Sequence, residues 1–163
     1  MRGKEQDFSD SEKWIRKAVE GISTGPALDV GTGGGACLSA LRSKGFFAIG
    51  MDVSLSSLRG KRSVVQADAQ YLPFKDRVFK AVVFGMSLHH IDNHRRCVEE
   101  AVRALSEGGE LSAVDWSETP PFHRGWDMPD AECIRRIVVR AGLGEVKCTR
   151  ESVVFLLWGR RIG

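Results

Sequence analysis

No apolar run in this sequence approaches the roughly 20 residues of a membrane-spanning helix, so no span is expected. The opening stretch, MRGKEQDFSDSEKW, lacks the apolar core of a secretory signal. Cysteine is sparse, and Cys37, Cys97, Cys133 and Cys148 form no C-x-x-C pair. They read as small core residues in a reducing compartment, with the cytoplasm as the expected location and no metal site. Strong charge of one sign is missing too, the net charge being +3. Arg59, Lys61 and Arg62 form one basic cluster and Arg135, Arg136 and Arg140 another, each read as a solvated helix face. A nucleic-acid partner is allowed by this composition but not argued by it. Repeats, low-complexity runs and an obvious linker are all absent.

What is present fits one domain over residues 1–163, long enough to bury a real core. Ser9 and Glu12 fit a capping box opening a helix, in which Trp14, Ile15, Ala18, Val19 and Ile22 share an apolar face before Gly25-Pro26 stops it. Residues 1–25 thus read as an N-terminal helical segment that packs on the sheet or roofs a crevice. Strands are expected at Ala27–Val30, Phe46–Met51, Val64–Ala67, Val78–Phe84 and Glu110–Trp116. Helical patterns separate most of them, with Cys37, Leu38 and Leu41 buried in one helix and Cys97, Val98, Ala101, Val102 and Leu105 in another. Asn93 or Asp92 is expected to cap the latter. Such alternation predicts an α/β fold, a doubly wound, mostly parallel sheet with helices on both faces. Residues 117–129 break the pattern as a Pro- and aromatic-rich loop. A last helix around Ile134, Ile137, Val138 and Ala141 precedes two tail strands, Glu145–Thr149 and Val153–Trp158, whose tight connection requires antiparallel pairing.

The chain is organised around ALDVGTGGGA, Ala27 to Ala36, which reads strand, glycine turn, helix. Without Cβ atoms the backbone can turn sharply and approach a ligand, and the N–H groups of the helix start face the crevice. A ligand is therefore expected over Gly31 to Gly35. Gly31, Gly33 and Ala36 satisfy the dinucleotide pattern G-x-G-x-x-G/A. Asp29, Gly31, Gly33 and Gly35 equally satisfy D-x-G-x-G-x-G, which resembles motif I of the class I S-adenosylmethionine-dependent methyltransferases. The glycines alone do not separate the two. Asp52, at the end of the second strand, can accept from both hydroxyls of a ribose and serves either reading.

The remaining motifs separate them. Asp68 and Ala69 in QADAQYLPF, the loop VVFGMSLHHI and the segment RALSEGGEL resemble successive methyltransferase motifs, in order, across about Ala27 to Trp158. The final antiparallel pair resembles the family's completion of a seven-stranded Rossmann-like sheet. The chain looks most like the small-molecule branch that includes ubiquinone/menaquinone-biosynthesis methyltransferases. Lys80 departs from the Asp usual there and bears on local packing. A nicotinamide enzyme would need a further catalytic segment, for which little chain remains.

The resemblance implies S-adenosylmethionine as cofactor and methyl transfer to a small-molecule acceptor. Gly31, Gly33 and Gly35 would then shape the methionine site, and Asp29 would hold its ammonium group directly or through water. Asp52 would hold the ribose, Asp68 and Ala69 the adenine edge, and Gly85 and Met86 the methionine side near the sulfonium. His89 and His90 are candidate bases, since imidazole titrates near neutrality. Trp116, Phe122 and Trp126 are candidate acceptor contacts, with 117–129 a candidate lid. RNA or protein methylation and a non-catalytic cofactor-binding subunit stay open, as does oligomeric state.

Overall fold

Ala27, Leu28, Asp29 and Val30 are all buried because the strand they form, β1 (Ala27–Val30), runs through the middle of a seven-stranded sheet. The structure is a computed structural model describing residues 2–163. Met1, the first residue of the expected N-terminal helical segment, lies outside the described residues. Two helices come first, α1 (Arg2–Ser9) and α2 (Ser11–Glu20). After β1 come α3 (Ala36–Ser43), β2 (Ala48–Asp52), α4 (Leu55–Leu58) and β3 (Val64–Gln66). Then follow β4 (Phe79–Gly85), α5 (His94–Ala104), β5 (Leu105–Trp116), α6 (Ala131–Arg140), β6 (Leu143–Glu151) and β7 (Val154–Arg161).

The strand order is β3-β2-β1-β4-β5-β7-β6. All pairings are parallel except those of β7, which inserts antiparallel between β5 and β6. This is the expected doubly wound architecture. Its order reverses between β1 and β4, so their carboxyl ends diverge and open a crevice. Period-two alternation divides the core. Leu28, Val30, Val82 and Phe84 face α5 and α6, whereas Ala27, Ala81 and Val83 face α2 and α3. No helix among the described residues is long and apolar enough to cross a membrane.

Several local expectations are corrected. The N-cap of α2 is Asp10, whose Oδ1 accepts the Lys13 N–H at 3.1 Å, while Ser9 ends α1 and donates its hydroxyl to Gln6 O. The capping box gives way because Asp10, one residue on, starts the helix by accepting the Lys13 N–H with a carboxylate, where Ser9 would have accepted that of Glu12. Helix α2 stops at Glu20, where the Lys44 ammonium donates to the carbonyls of Val19, Glu20 and Ile22, so Gly25-Pro26 lies beyond the helix end, just before β1. Leu105 belongs to β5, pairing with Phe79 before a register shift. The tail strands run longer than their apolar residues indicated, since β6 is a half-exposed edge strand held by its ladder to β7. Asn93 caps α5 as expected, and Lys80 is exposed, donating its N–H to Pro26 O.

Candidate functional site

Strand β1 delivers the chain into a turn in which Gly31, Gly33 and Gly35 all have positive φ, at +75°, +47° and +92°. A side chain at Gly31 would force the turn to shift, because a Cβ there would lie 2.6 Å from Ser87 Cβ. The contact brings the turn against the loop after β4, where the Ser87 hydroxyl donates to Val30 O at 2.6 Å. Gly31 and Thr32 both donate their N–H groups to Met51 O, at 2.9 and 2.8 Å, extending the β1–β2 ladder past the strand end.

Over this turn lies a cavity of about 720 Å³, within the range of small-molecule sites. Its floor is Gly31–Gly34. One wall carries Asp52 and Ala67–Gln70, the opposite wall Gly85–Ser87 and His90–Asp92, and Ser11, Glu12 and Ile15 of α2 close one side. Of the two alternatives for this helix, α2 packs Trp14, Ala18 and Val19 into the core, and its Ser11, Glu12 and Ile15 also line the crevice. Asp52 Oδ2 accepts the Gly33 N–H and Oδ1 the Ser54 N–H, each at 2.9 Å, so the carboxylate is fixed at the cavity edge. Asp68 is exposed at the end of β3 and Ala69 is buried beside it. Asp52, Asp68, Asp92 and Glu12 line the space together with no lysine or arginine. That set of acceptors suits hydroxyl, amine and cationic groups better than a pyrophosphate.

Asp29 is fully buried beneath the turn rather than on the cavity wall. Strand alternation places it on the α3 side, where Oδ2 accepts the Thr32 hydroxyl at 2.7 Å and Oδ1 has no hydrogen-bond partner. Burial raises its carboxyl to about 6, against the Thr32 hydrogen bond, which lowers it. Gly35 also stays off the wall. It is the residue before α3, and Lys61 Cε would lie 2.9 Å from a Cβ there.

Met86, at the end of β4, holds a left-handed φ of +55° and faces the cavity. A non-glycine residue in that region stores about 1–3 kcal/mol of strain, which is common at ligand sites. The two adjacent histidines part company. The His89 side chain is only 4% exposed, its Nδ1 lies 2.8 Å from Asp115 Oδ1, and its N–H donates to Asp115 Oδ2 at 3.0 Å. It anchors the loop to the fully buried end of β5. His90 lines the cavity, and burial, then the neighbouring His89, lower its pKa from the ordinary value.

The aromatic residues also separate. Trp116 is 3% exposed and packs on Phe8 in the core, because its strand position points it inward. Trp126 and Phe122 are exposed, and Trp126 stands edge-on to His90 with ring centroids 5.1 Å apart. His123 packs on Trp126 at 4.6 Å, and burial lowers its pKa. Phe122, Trp126 and His123 thus form a ring cluster beyond His90, outside the cavity proper. Sequence reasoning missed Thr32, although Asp29 and Thr32 stand three residues apart across the turn. It also missed Ser87, whose approach to Gly31 and bond to Val30 O join residues more than 50 positions apart and leave no sequence signal. Among the described residues, no group of three or more His, Cys, Asp or Glu is placed to hold a metal ion.

Comparison with known proteins agrees with this geometry. A family model described as "Methyltransferase domain" matches residues 28–113, more than half the chain, running from β1 into β5. Demethylmenaquinone methyltransferases of Renibacterium salmoninarum and Clavibacter sepedonicus are 28% and 32% identical over 124 residues each. Those matches cover 71% and 69% of this chain and 52% and 50% of the relatives, so the chain spans about half the length of the curated relatives it matches. A solved structure of an S-adenosylmethionine-dependent methyltransferase from Thermotoga maritima superposes with a TM-score of 0.77 at 19% identity. The superposition covers 94% of this chain and 90% of that one, a likeness of fold. The glycine cradle against Ser87, the fixed Asp52 carboxylate and the cation-free wall fit the donor that such proteins use. The chain is a member of the class I S-adenosylmethionine-dependent methyltransferases.

Proposed function

We propose that the chain, read as one methyltransferase domain, transfers a methyl group from S-adenosylmethionine to a small-molecule acceptor. The observation that carries this is the cavity over the glycine turn, bounded by Asp52 and Asp68 on one wall and by Met86 and His90 on the other. S-adenosylmethionine, when bound, supplies a methyl group already activated on a sulfonium. The protein's share of the chemistry is then alignment and exclusion of water, and orientation alone is worth about 7–11 kcal/mol in favourable cases.

Each residue has a part in that alignment. Gly31 and Gly33 let the backbone lie close to the methionine moiety, with Gly35 setting the start of α3. Asp29 provides negative charge from below the turn, through Thr32 or water rather than by direct contact. Asp52 accepts from ribose hydroxyls with the lone pairs that Gly33 and Ser54 leave free. Asp68 accepts from the adenine amine and the Ala69 N–H donates to the ring. Gly85 and Met86 face the reacting side. His90 takes the proton of an acceptor that must lose one, being exposed at the mouth and held below the usual histidine pKa. His89 supports it from the Asp115 anchor.

Phe122 and Trp126 would cover a flat or apolar acceptor from the 117–129 loop, whereas Trp116 contributes packing. The two demethylmenaquinone methyltransferase relatives support an acceptor of that kind. Four free cysteines and the lack of a spanning helix among the described residues are in keeping with a cytoplasmic enzyme. The test is incubation with methyl-labelled donor and a demethylated quinol, with structured RNA in a parallel sample. Label on the quinol supports the proposal, and label on RNA alone contradicts it.

A further inference from the structure

We propose that Glu100, on α5, is a positioning residue for the adenosine side of the cavity. The proposal rests on the assignment of Asp68 and Ala69 to the adenine edge. The segment bearing them, Ala67–Gln70, is weakly held where it enters. Strand β3 has three residues, none of them buried, and pairs only with β2 at the sheet edge. Beyond it, the Ala67 N–H donates to Asp52 O at 3.0 Å.

Helix α5 holds the segment where it leaves. Glu100 is 6% exposed and its Oε2 accepts the Leu72 N–H at 2.8 Å. The Arg103 guanidinium donates to both Glu100 oxygens, at 2.9 and 3.0 Å, and also to Phe74 O at 2.9 Å and Leu72 O at 3.1 Å. Arg96, one turn earlier on the same face, donates to Gln70 O at 3.1 Å. Positions 96, 100 and 103 share one face of a helix, so the three side chains grip the backbone from Gln70 to Phe74 as a unit.

The grip reaches Asp68 through the turn itself. Asp68 Oδ1 accepts the Gln70 N–H at 2.8 Å, and the Tyr71 N–H donates to Asp68 O at 2.9 Å. A displacement of Gln70 or Leu72 therefore moves the Asp68 carboxylate. Recognition of one base edge needs its partners held within about 0.5 Å, which a three-residue edge strand does not ensure alone. Of the clamp's charged groups, Glu100 is the one that is buried and bonded to the loop backbone, so it is the member on which the others converge.

The experiment compares S-adenosylhomocysteine with S-inosylhomocysteine, in which a carbonyl replaces the adenine amine. Calorimetric affinities for both are measured with the full chain, with Asp68→Asn and with Glu100→Gln, alongside ligand-free melting temperatures. The full chain is expected to prefer the adenine ligand by about tenfold, the size of one good hydrogen bond. Glu100→Gln is expected to bring that ratio close to one, whatever its melting temperature, because a purely structural loss lowers both affinities together. An unchanged ratio in Glu100→Gln, with Asp68→Asn collapsing it, overturns the positioning role and leaves the Asp68 assignment standing. No preference in the full chain overturns both, while methyl transfer itself stands. Should Glu100→Gln fail to fold, Arg96→Gln, at a half-exposed side chain, carries the same expectation at roughly threefold.

Discussion

The Asp52 carboxylate accepts the Gly33 N–H at 2.9 Å, tying the end of β2 to the middle of the glycine turn. One acid therefore shapes the floor of the cavity and presents its remaining lone pairs to whatever lies there. Asp52→Ala is expected to lower affinity for S-adenosylhomocysteine by well over tenfold while lowering fold stability by only about 1 kcal/mol. Isothermal titration beside a denaturation curve separates the two effects. Equal losses in both would make Asp52 a loop brace only.

Gly31→Ala should remove binding and stability together. The φ of +75° and the 2.6 Å approach to Ser87 Cβ leave no place for a methyl group, so the turn must shift. Strain of this kind costs about 1–3 kcal/mol. A lower melting temperature with no ligand-induced rise is the expected result.

Asp29 gives a pH signature with a definite sign. Its folded pKa of about 6 stands above the unfolded 3.8, so the folded chain holds the proton more tightly. The stability this contributes is full below about pH 4 and is lost as pH rises through 6. Its size is on the order of 2–3 kcal/mol. Asp29→Asn should flatten that part of the stability profile and gain relative to the parent above pH 6. Affinity for the cofactor should move the other way in the parent, falling as pH drops through 6 and the charge is lost.

The paired histidines should behave as different residues. His89→Ala strips the fully buried Asp115 carboxylate of its imidazole contact, while the backbone N–H at position 89 still donates to it, and is expected to destabilise the fold by about 1–3 kcal/mol. His90→Ala, at an exposed site, should leave stability within about 0.5 kcal/mol and slow transfer by at least about a hundredfold. In the parent, the acid limb of the rate profile should fall below the usual histidine value, because burial and His89 disfavour protonation of His90. A rate profile without that limb contradicts the base role.

The architecture was legible because buried strands and amphipathic helices each write their own period, and Leu28, Val82 and Cys97 sit where that period requires. The gathering of the glycine turn, Asp52 and Asp68 around one cavity was legible because strand ends are where such sheets open a crevice. What stayed hidden depends on direction and on distance along the chain. Nothing in two adjacent histidines says that one turns inward to Asp115, 26 residues away. Trp116 and Trp126 look alike as letters, yet strand register buries the first and loop geometry exposes the second. The Glu100 clamp joins residues 26 to 31 apart through backbone atoms, which carry no sequence signal.

The central claim is that the cavity over Gly31–Gly34 binds S-adenosylmethionine. Thermal unfolding of the chain with S-adenosylmethionine, S-adenosylhomocysteine or NAD present is its most direct test. A ligand at about 100 times its Kd stabilises a fold by ~2.7 kcal/mol. The account predicts a rise in melting temperature with the first two ligands, lost in Asp52→Ala, and none with NAD. A rise with NAD alone would contradict it.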